Sequence, residues 1–252
     1  MRADAWFNRG GGAGRAVVFS CYFNKKVDPQ RGQFLADDNF KYIEKWYLSV
    51  VEKDLYAVIF HDGLSSEFLR KYSTMKITFH HVALGERSTN DERFFFYYKY
   101  LSEHPEITAV VMTDISDVVI QNDPFEFMML TGDYIYAGRD YGNKMEDNGW
   151  LTPRERVCFV KGFDKEEHRL IKKKSQVYNA GVVGGYTDTM IEFLGEMTYY
   201  LSLCPIKFNC NMPVYNFVLH RSFETRIFSG FPWNSRFFMK EKDPLGVYII
   251  HK

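Results

Sequence analysis

Residues 107–120 read Ile-Thr-Ala-Val-Val-Met-Thr-Asp-Ile-Ser-Asp-Val-Val-Ile. The stretch is a short apolar strand that ends in two carboxylates, Asp114 and Asp117, and then turns apolar again. In an open α/β sheet the carboxyl end of a strand opens on the ligand crevice. Two acids three residues apart on a turn there can converge on one hard divalent cation, which prefers oxygen ligands. A cation held this way takes an anionic ligand such as a diphosphate. The same residues also suit an ordinary polar turn, where acids are common.

The segments upstream make the crevice reading coherent. Arg15–Phe23 is expected as a first strand, followed by a polar loop, Asn24–Arg31. Phe40, Ile43, Trp46, Tyr47, Val50 and Val51 recur at three- and four-residue spacing and predict a helix over Asp38–Lys53. Tyr56–Phe60 reads as a second strand, ending at His61-Asp62-Gly63; Ser65 reads as the cap of a helix through Tyr72. A third strand, Lys76–Val82, and an aromatic-rich helix, Asn90–Glu103, lead to the fourth strand, Glu106–Met112. This alternation predicts right-handed βαβ units and a largely parallel sheet, a Rossmann-type α/β fold.

Beyond Asp117 the order loosens. Asp133–Ala137 is expected as a strand ending at Gly138-Arg139-Asp140, and Tyr141–Lys174 as a polar insertion or lid. Ser175–Gly185 holds a short strand with glycines, and helices follow over Thr187–Leu203 and Asn211–His220; Val247–His251 closes as a strand. The glycines at 10–14 precede the first strand, whereas a phosphate-binding loop must follow one. Residues 1–14 are therefore read as a flexible leader, and 15–252 as one domain with a nucleotide-type half (15–125) and a second half (126–252).

The chain carries 32 basic and 32 acidic side chains and no net charge. That balance leaves no electrostatic footprint for nucleic acid or anionic lipid. Apolar residues make up 46% and charged residues 25%, enough for a sizeable core. Aromatics reach 17%; most are expected in the core, although sugar-binding sites also use aromatic faces. Cys21, Cys158, Cys204 and Cys210 include no metal-type CxxC pair. There is no signal-peptide pattern, no Asn-x-Ser/Thr sequon and no apolar run near the ~18 residues needed to span a bilayer. The expectation is a cytoplasmic protein with reduced thiols and no membrane span, or a catalytic domain separated from an anchor.

In this order the segments resemble the GT-A superfamily of nucleotide-sugar-dependent glycosyltransferases. Asp114-Ile115-Ser116-Asp117 is similar to that superfamily's DxD motif with one extra spacer, and Asn122-Asp123-Pro124-Phe125 follows it as a DP pair does in several such families. Asn179-Ala180-Gly181-Val182-Val183-Gly184-Gly185 looks like the N-A-G segment that lines the sugar pocket. Asn211-Met212-Pro213-Val214-Tyr215-Asn216 stands where many members carry D-Q-x-x-x-N, and Ile249-Ile250-His251 is similar to the late histidine that completes some metal sites.

The resemblance implies a transferase that moves a sugar from a UDP-sugar donor to a glycan or other hydroxyl acceptor. The leaving diphosphate then needs charge neutralisation, which a Lewis-acid metal supplies. Asp117 is the expected direct ligand, Asp114 a second ligand or ribose contact, and His251 the third. An imidazole in the set suits Mn²⁺ better than Mg²⁺. Arg93 is expected at the diphosphate or sugar, Asp62 at the nucleotide, and Asn179, Gly184 and Gly185 along the sugar, where glycine lets backbone approach closely. Each of these has a plainer alternative: a solvated helix face for Arg93, a strand-end turn for Asp62, a tight turn for the glycines.

One position departs from the pattern. Asn211 and Met212 replace the acid and glutamine of D-Q, and neither can act as a carboxylate nucleophile or base. Asp140 and Asp188 are the acids nearest in sequence, and the N-A-G segment and terminal histidine are similar to those of retaining families. The alternatives are a degenerate domain that binds nucleotide sugar or glycan, and a sugar nucleotidyltransferase. The second would want a Gly-rich phosphate loop after the first strand, where only Gly32 is near. A phosphohydrolase of the HAD type would carry its aspartate pair on the first strand rather than the fourth.

Overall fold

The computed structural model describes residues 14–159, 161–174, 176–237 and 246–251. Apart from Gly14, the expected leader lies outside the described residues. The first half follows its periodicity: β1 (Arg15–Tyr22), α1 (Phe40–Glu52), β2 (Tyr56–His61), α2 (Ser66–Tyr72), β3 (Ile77–His81), α3 (Thr89–Glu103) and β4 (Ile107–Thr113). Ser65 caps α2 by accepting the Phe68 N–H, and Ser88 caps α3 by accepting that of Asp91. Helix α1 buries Ile43, Trp46, Tyr47 and Val50. Val51, part of the same apolar pattern, is exposed. The fully buried Trp46 donates its indole N–H to Thr113 Oγ1 at 2.7 Å. An aromatic of this size contributes about 2–3 kcal/mol by burial, and here it also braces the end of β4 beneath Asp114.

The second half comprises β5 (Val118–Ile120), α4 (Pro124–Thr131), β6 (Ile135–Lys144), α5 (Leu151–Cys158), α6 (Lys165–Lys174), β7 (Gln176–Tyr186), α7 (Thr187–Leu203), α8 (Asn211–Ser222), β8 (Ile227–Ser229) and β9 (Ile249–His251). Seven strands form one α/β sheet in the order β3-β2-β1-β4-β7-β6-β8. The sheet is mostly parallel and compatible with a Rossmann-like fold: β7 alone runs against its neighbours, β4 and β6. Strand β1 alternates its side chains between two cores, with Val17 and Phe19 beside α3, α7 and α8, and Val18 and Tyr22 beside α1, α2 and α4. Among the described residues no helix is long and apolar enough to cross a membrane.

One expectation gains detail and one needs correction. The expected insertion 141–174 contains helices α5 and α6. Helix α6 reads Lys-Glu-Glu-His-Arg-Leu-Ile-Lys-Lys-Lys, with too few apolar residues for a core-facing stripe to announce it. The four cysteines are also not all reduced: Cys158 and Cys210 form a disulfide, while Cys21 and Cys204 are free. Equal sequence support for every pairing, and for none, hid this bond. It ties the end of α5 to the start of α8.

Closing a loop between residues 52 apart stabilises by about 3–4 kcal/mol in the chain-entropy picture. The double variant Cys158→Ser/Cys210→Ser should lose stability of that order in urea unfolding. An unchanged midpoint and slope, compared under non-reducing conditions, would show that the bond contributes nothing.

Candidate functional site

Asp114 lies one residue past β4. The antiparallel partner β7 meets it there, and the Asp114 N–H donates to Gly181 O at 2.8 Å. Arg93, buried on α3, reaches the same point with an ion pair to Asp114 Oδ1 and a 3.0 Å bond from Nη2 to Ala180 O. Strand β5 starts directly after Asp117 and pairs antiparallel with β9 in the register Val118↔His251, which sets His251 beside the two acids. The His251 backbone is held by Ser235, whose Oγ accepts its N–H at 2.9 Å.

His251 Nε2 lies 3.8 Å from Asp114 Oδ2 and 3.9 Å from Asp117 Oδ2. One ligand atom from each of the three residues lies within 4.8 Å of the others. Ligand atoms around a divalent ion with bonds of about 2.1–2.5 Å are separated by up to about 4–5 Å, so the set is the right size. Both ring nitrogens of the buried His251 lack a hydrogen-bond partner among the described residues. Buried polar atoms are rarely left so, and a ligated cation would satisfy one. Burial lowers the imidazole's proton affinity, against the pull of Asp114, and keeps it neutral as a ligand must be. Burial opposes the charge of Asp114 too, but the Arg93 guanidinium outweighs it and holds that carboxyl below its ordinary range. Asp117 is pushed up to about 6 by burial and then by the neighbouring Asp114 charge. The Arg93 ion pair answers the charge of Asp114, and a divalent cation would answer that of Asp117 as well.

The cluster opens on a pocket of about 560 Å³, within the ~300–1,000 Å³ of small-molecule sites. Asn179, Gly181, Asn211, Arg93 and Asp140 line it as well. Gly181 has to be glycine, because a Cβ there would sit 2.3 Å from His251 Cε1 and 2.6 Å from Asp114 Oδ2. Asn179 Oδ1 accepts the Gly181 N–H at 2.8 Å, which fixes this turn of β7. Asn211 opens α8, with its buried Oδ1 lacking a partner among the described residues; the neighbouring Asn209 Oδ1 is in the same state. The carboxylate of Asp91 accepts the Cys210 N–H at 3.0 and 3.1 Å and bonds the Asn211 N–H, so it anchors this end of α8. Met212 turns its sulfur to the Ala180 N–H at 3.2 Å, and Asn216 clamps the Tyr178 backbone.

Four expected residues lie elsewhere. Gly184 and Gly185 pair with Val111 and Val110 inside the sheet. A Cβ on them would strike Met128 and Val110 O, or Tyr134 O and Met190, so they serve close packing of helix on sheet. Asp188 is exposed on the first turn of α7, beside Thr187, whose hydroxyl donates to Ile107 O at the start of β4. That is the opposite end of the strand from Asp114, about 20 Å away at ~3.3 Å per residue, and it removes Asp188 from the chemistry. Asp62 accepts the N–H groups of Asn24 and Lys25 and shapes the loop after β1 without lining the pocket.

That loop supplies what the motif reading missed. Arg31 lines the pocket, pairs with Asp28 at 2.8 Å and donates to Ser116 Oγ at 3.3 Å, between the two acids. Its place after the first strand was the available signal. Trp150 and Arg154 form another wall, from a segment with no readable motif. The sequence matches no protein-family model and no curated protein.

Gly181→Ala should drive His251 away from Asp114 and abolish Mn²⁺ binding in calorimetry while the far-ultraviolet circular dichroism is retained. Wild-type Mn²⁺ affinity in this variant would separate Gly181 from the cluster. A second expectation concerns pH. Burial pushes the Asp91 carboxyl up to about 6, despite the backbone N–H groups that bond it. The folded state thus holds this proton more tightly than an unfolded aspartate, which titrates near 4. Stability from this group is complete below about pH 4 and is lost as the pH rises through about 6. Asp91→Asn should flatten that part of the melting-temperature profile; parallel profiles for the two proteins would contradict it.

Proposed function

We propose that this chain is a metal-dependent glycosyltransferase that takes its sugar from a nucleoside-diphosphate sugar, with UDP as the expected nucleotide, and passes it to a glycan or other hydroxyl acceptor. The observation that carries this reading is the convergence of Asp114, Asp117 and His251, its imidazole without a hydrogen-bond partner among the described residues, at a pocket that also holds three guanidinium groups and two amide oxygens in the same state. The resemblance of the DISD, N-A-G and late-histidine segments to GT-A enzymes supports it. Asp114, Asp117 and His251 would hold Mn²⁺ or Mg²⁺, and the cation would supply charge neutralisation at the departing diphosphate.

The chain's own groups do the rest. Arg93 keeps Asp114 ionised, and Arg31 brings a second positive charge to the diphosphate side. The Asn211 and Asn209 amide oxygens are acceptors in need of donors, which sugar hydroxyls supply. Asn211 cannot ionise, so it neither attacks nor removes a proton. Retention of configuration, in which the leaving diphosphate takes the acceptor's proton, fits a site with an amide there. Asp140, on the pocket wall, is the base that inversion would use. A binding module with the chemistry lost would keep the same pocket, and release of UDP on adding acceptor distinguishes the two. The disulfide supports an oxidising compartment in place of the cytoplasmic one expected from sequence.

Asp117→Ala should abolish Mn²⁺-dependent UDP binding and leave the fold intact; calorimetric binding equal to wild type would sink the assignment. In a screen of nucleotide sugars by thermal shift with Mn²⁺, the donor should raise the melting temperature by mass action. With that donor, Asn211→Ala should reduce kcat/KM by one to two orders of magnitude, the value of one or two hydrogen bonds at about 1–3 kcal/mol. Product NMR showing inversion, with Asp140→Asn inactive, would replace retention by a conventional base.

A further inference from the structure

We propose that the far wall of the pocket, built by Trp150 and Arg154, is an acceptor subsite for an acidic sugar, one that carries a carboxylate or a sulfate. The proposal rests on the glycosyltransferase reading and adds the class of acceptor to it.

The wall is assembled locally. Asn148 Oδ1 accepts the N–H groups of Trp150 and Leu151 at 3.1 and 2.8 Å and so starts α5. Leu151 then packs with Val177 of β7 in a small buried cluster, which fixes the helix against the sheet. One turn along, Arg154 folds back on Trp150: its guanidinium carbon lies 3.7 Å from the indole centroid, and Nη1 donates to Trp150 O at 2.9 Å. Trp150 is 42% exposed although it lines a pocket. Arg154 covers one face of the indole, and the exposed remainder of the ring at a site of this kind suits the apolar face of a sugar.

Arg154 makes no ion pair among the described residues, unlike Arg93 and Arg31, which are tied to Asp114 and Asp28. Partial burial lowers its proton affinity without threatening its charge, since guanidinium stays protonated in proteins. Stacking on the indole holds the planar fork in place, so most of its five N–H donors are left for an oxyanion, two of whose oxygens it can bond in bidentate fashion.

Position decides between donor and acceptor. Val177, Asn179 and Gly181 line the pocket at alternate positions of β7. Gly181 touches the metal cluster, and at about 3.3 Å per residue Val177 lies roughly 13 Å further along. The donor sugar, joined to a diphosphate at the cluster, occupies the stretch beside Asn179 and Asn211. The Trp150–Arg154 wall beyond Val177 is left for the acceptor.

The test uses the whole protein with saturating Mn²⁺ and UDP. Methyl β-glucuronide, methyl β-glucoside 6-sulfate and methyl β-glucoside are titrated by ligand-observed NMR. At least one acidic glycoside should bind about tenfold tighter than the neutral one, the size of a charge-assisted contact, and which one does so identifies the anion. Arg154→Gln should erase that preference with UDP affinity unchanged, and Trp150→Ala should weaken all three. Equal binding of acidic and neutral glycosides, or a preference that survives Arg154→Gln, overturns the proposal. The UDP titration stands apart. If UDP fails to bind, the transferase reading falls and the acceptor assignment with it, whereas normal UDP binding without acid preference removes the subsite alone.

Discussion

The antiparallel pairing of β4 with β7 is the constraint on which the site depends. Every other strand of the main sheet runs parallel to β4, so β7 alone delivers its middle, rather than its end, to the point where β4 stops. The register Thr113↔Val182 then sets the backbone of Gly181 against Asp114. A shift of one residue would turn the strand's faces over and replace an open hydrogen at position 181 with a side chain. Asn179 and Val177 follow Gly181 along the same wall because of the same alternation. One pairing therefore orders the Asp114–Asp117–His251 cluster, the amide groups and the helix-built wall along a single line.

The electrostatics answer that geometry. Drawing two carboxylates partly out of water, with their side chains still 29% and 37% exposed, costs free energy unless charge or hydrogen bonds compensate. Arg93 compensates one of them and is itself buried by doing so, with its second donor on Ala180 O. Asp117 gets no such partner at close range; Arg31 stands nearby, tied to Asp28. The site is thus built one positive charge short, and the shortfall sits where the neutral imidazole of His251 points.

The first four strands, the three helices between them and the position of Asp114 and Asp117 were legible in the sequence, because alternation and three–four spacing are local signals. So was His251, although only by resemblance, since nothing local to Ile249-Ile250-His251 says that it pairs with Val118. The glycines of β7 illustrate the limit. Gly181, Gly184 and Gly185 look alike in sequence, yet the first lies where β4 stops and meets the acid cluster, while the others lie deeper in the sheet and face α4 and α7, a difference fixed by where along β7 each one falls. Asp188 was misplaced for a related reason: proximity to the glycines in sequence becomes distance in space once β7 runs back to the start of β4. Trp150 and Arg154 carried no signal, because a short helix whose apolar face is two or three residues wide looks like a polar loop.

The strand that bears His251 has only three residues, and its partner β5 has three. Contacts on this flank join distant parts of the chain, as in the bond from Asn122 to Val247 O, 125 residues apart. Closing so long a loop for so few hydrogen bonds is entropically weak and kinetically late. An ion shared between Asp114, Asp117 and His251 would bridge the two ends of that loop. Cation affinity and the docking of the last strand are then a single equilibrium: whatever loosens β9 weakens the site, and whatever fills the site shuts the fold.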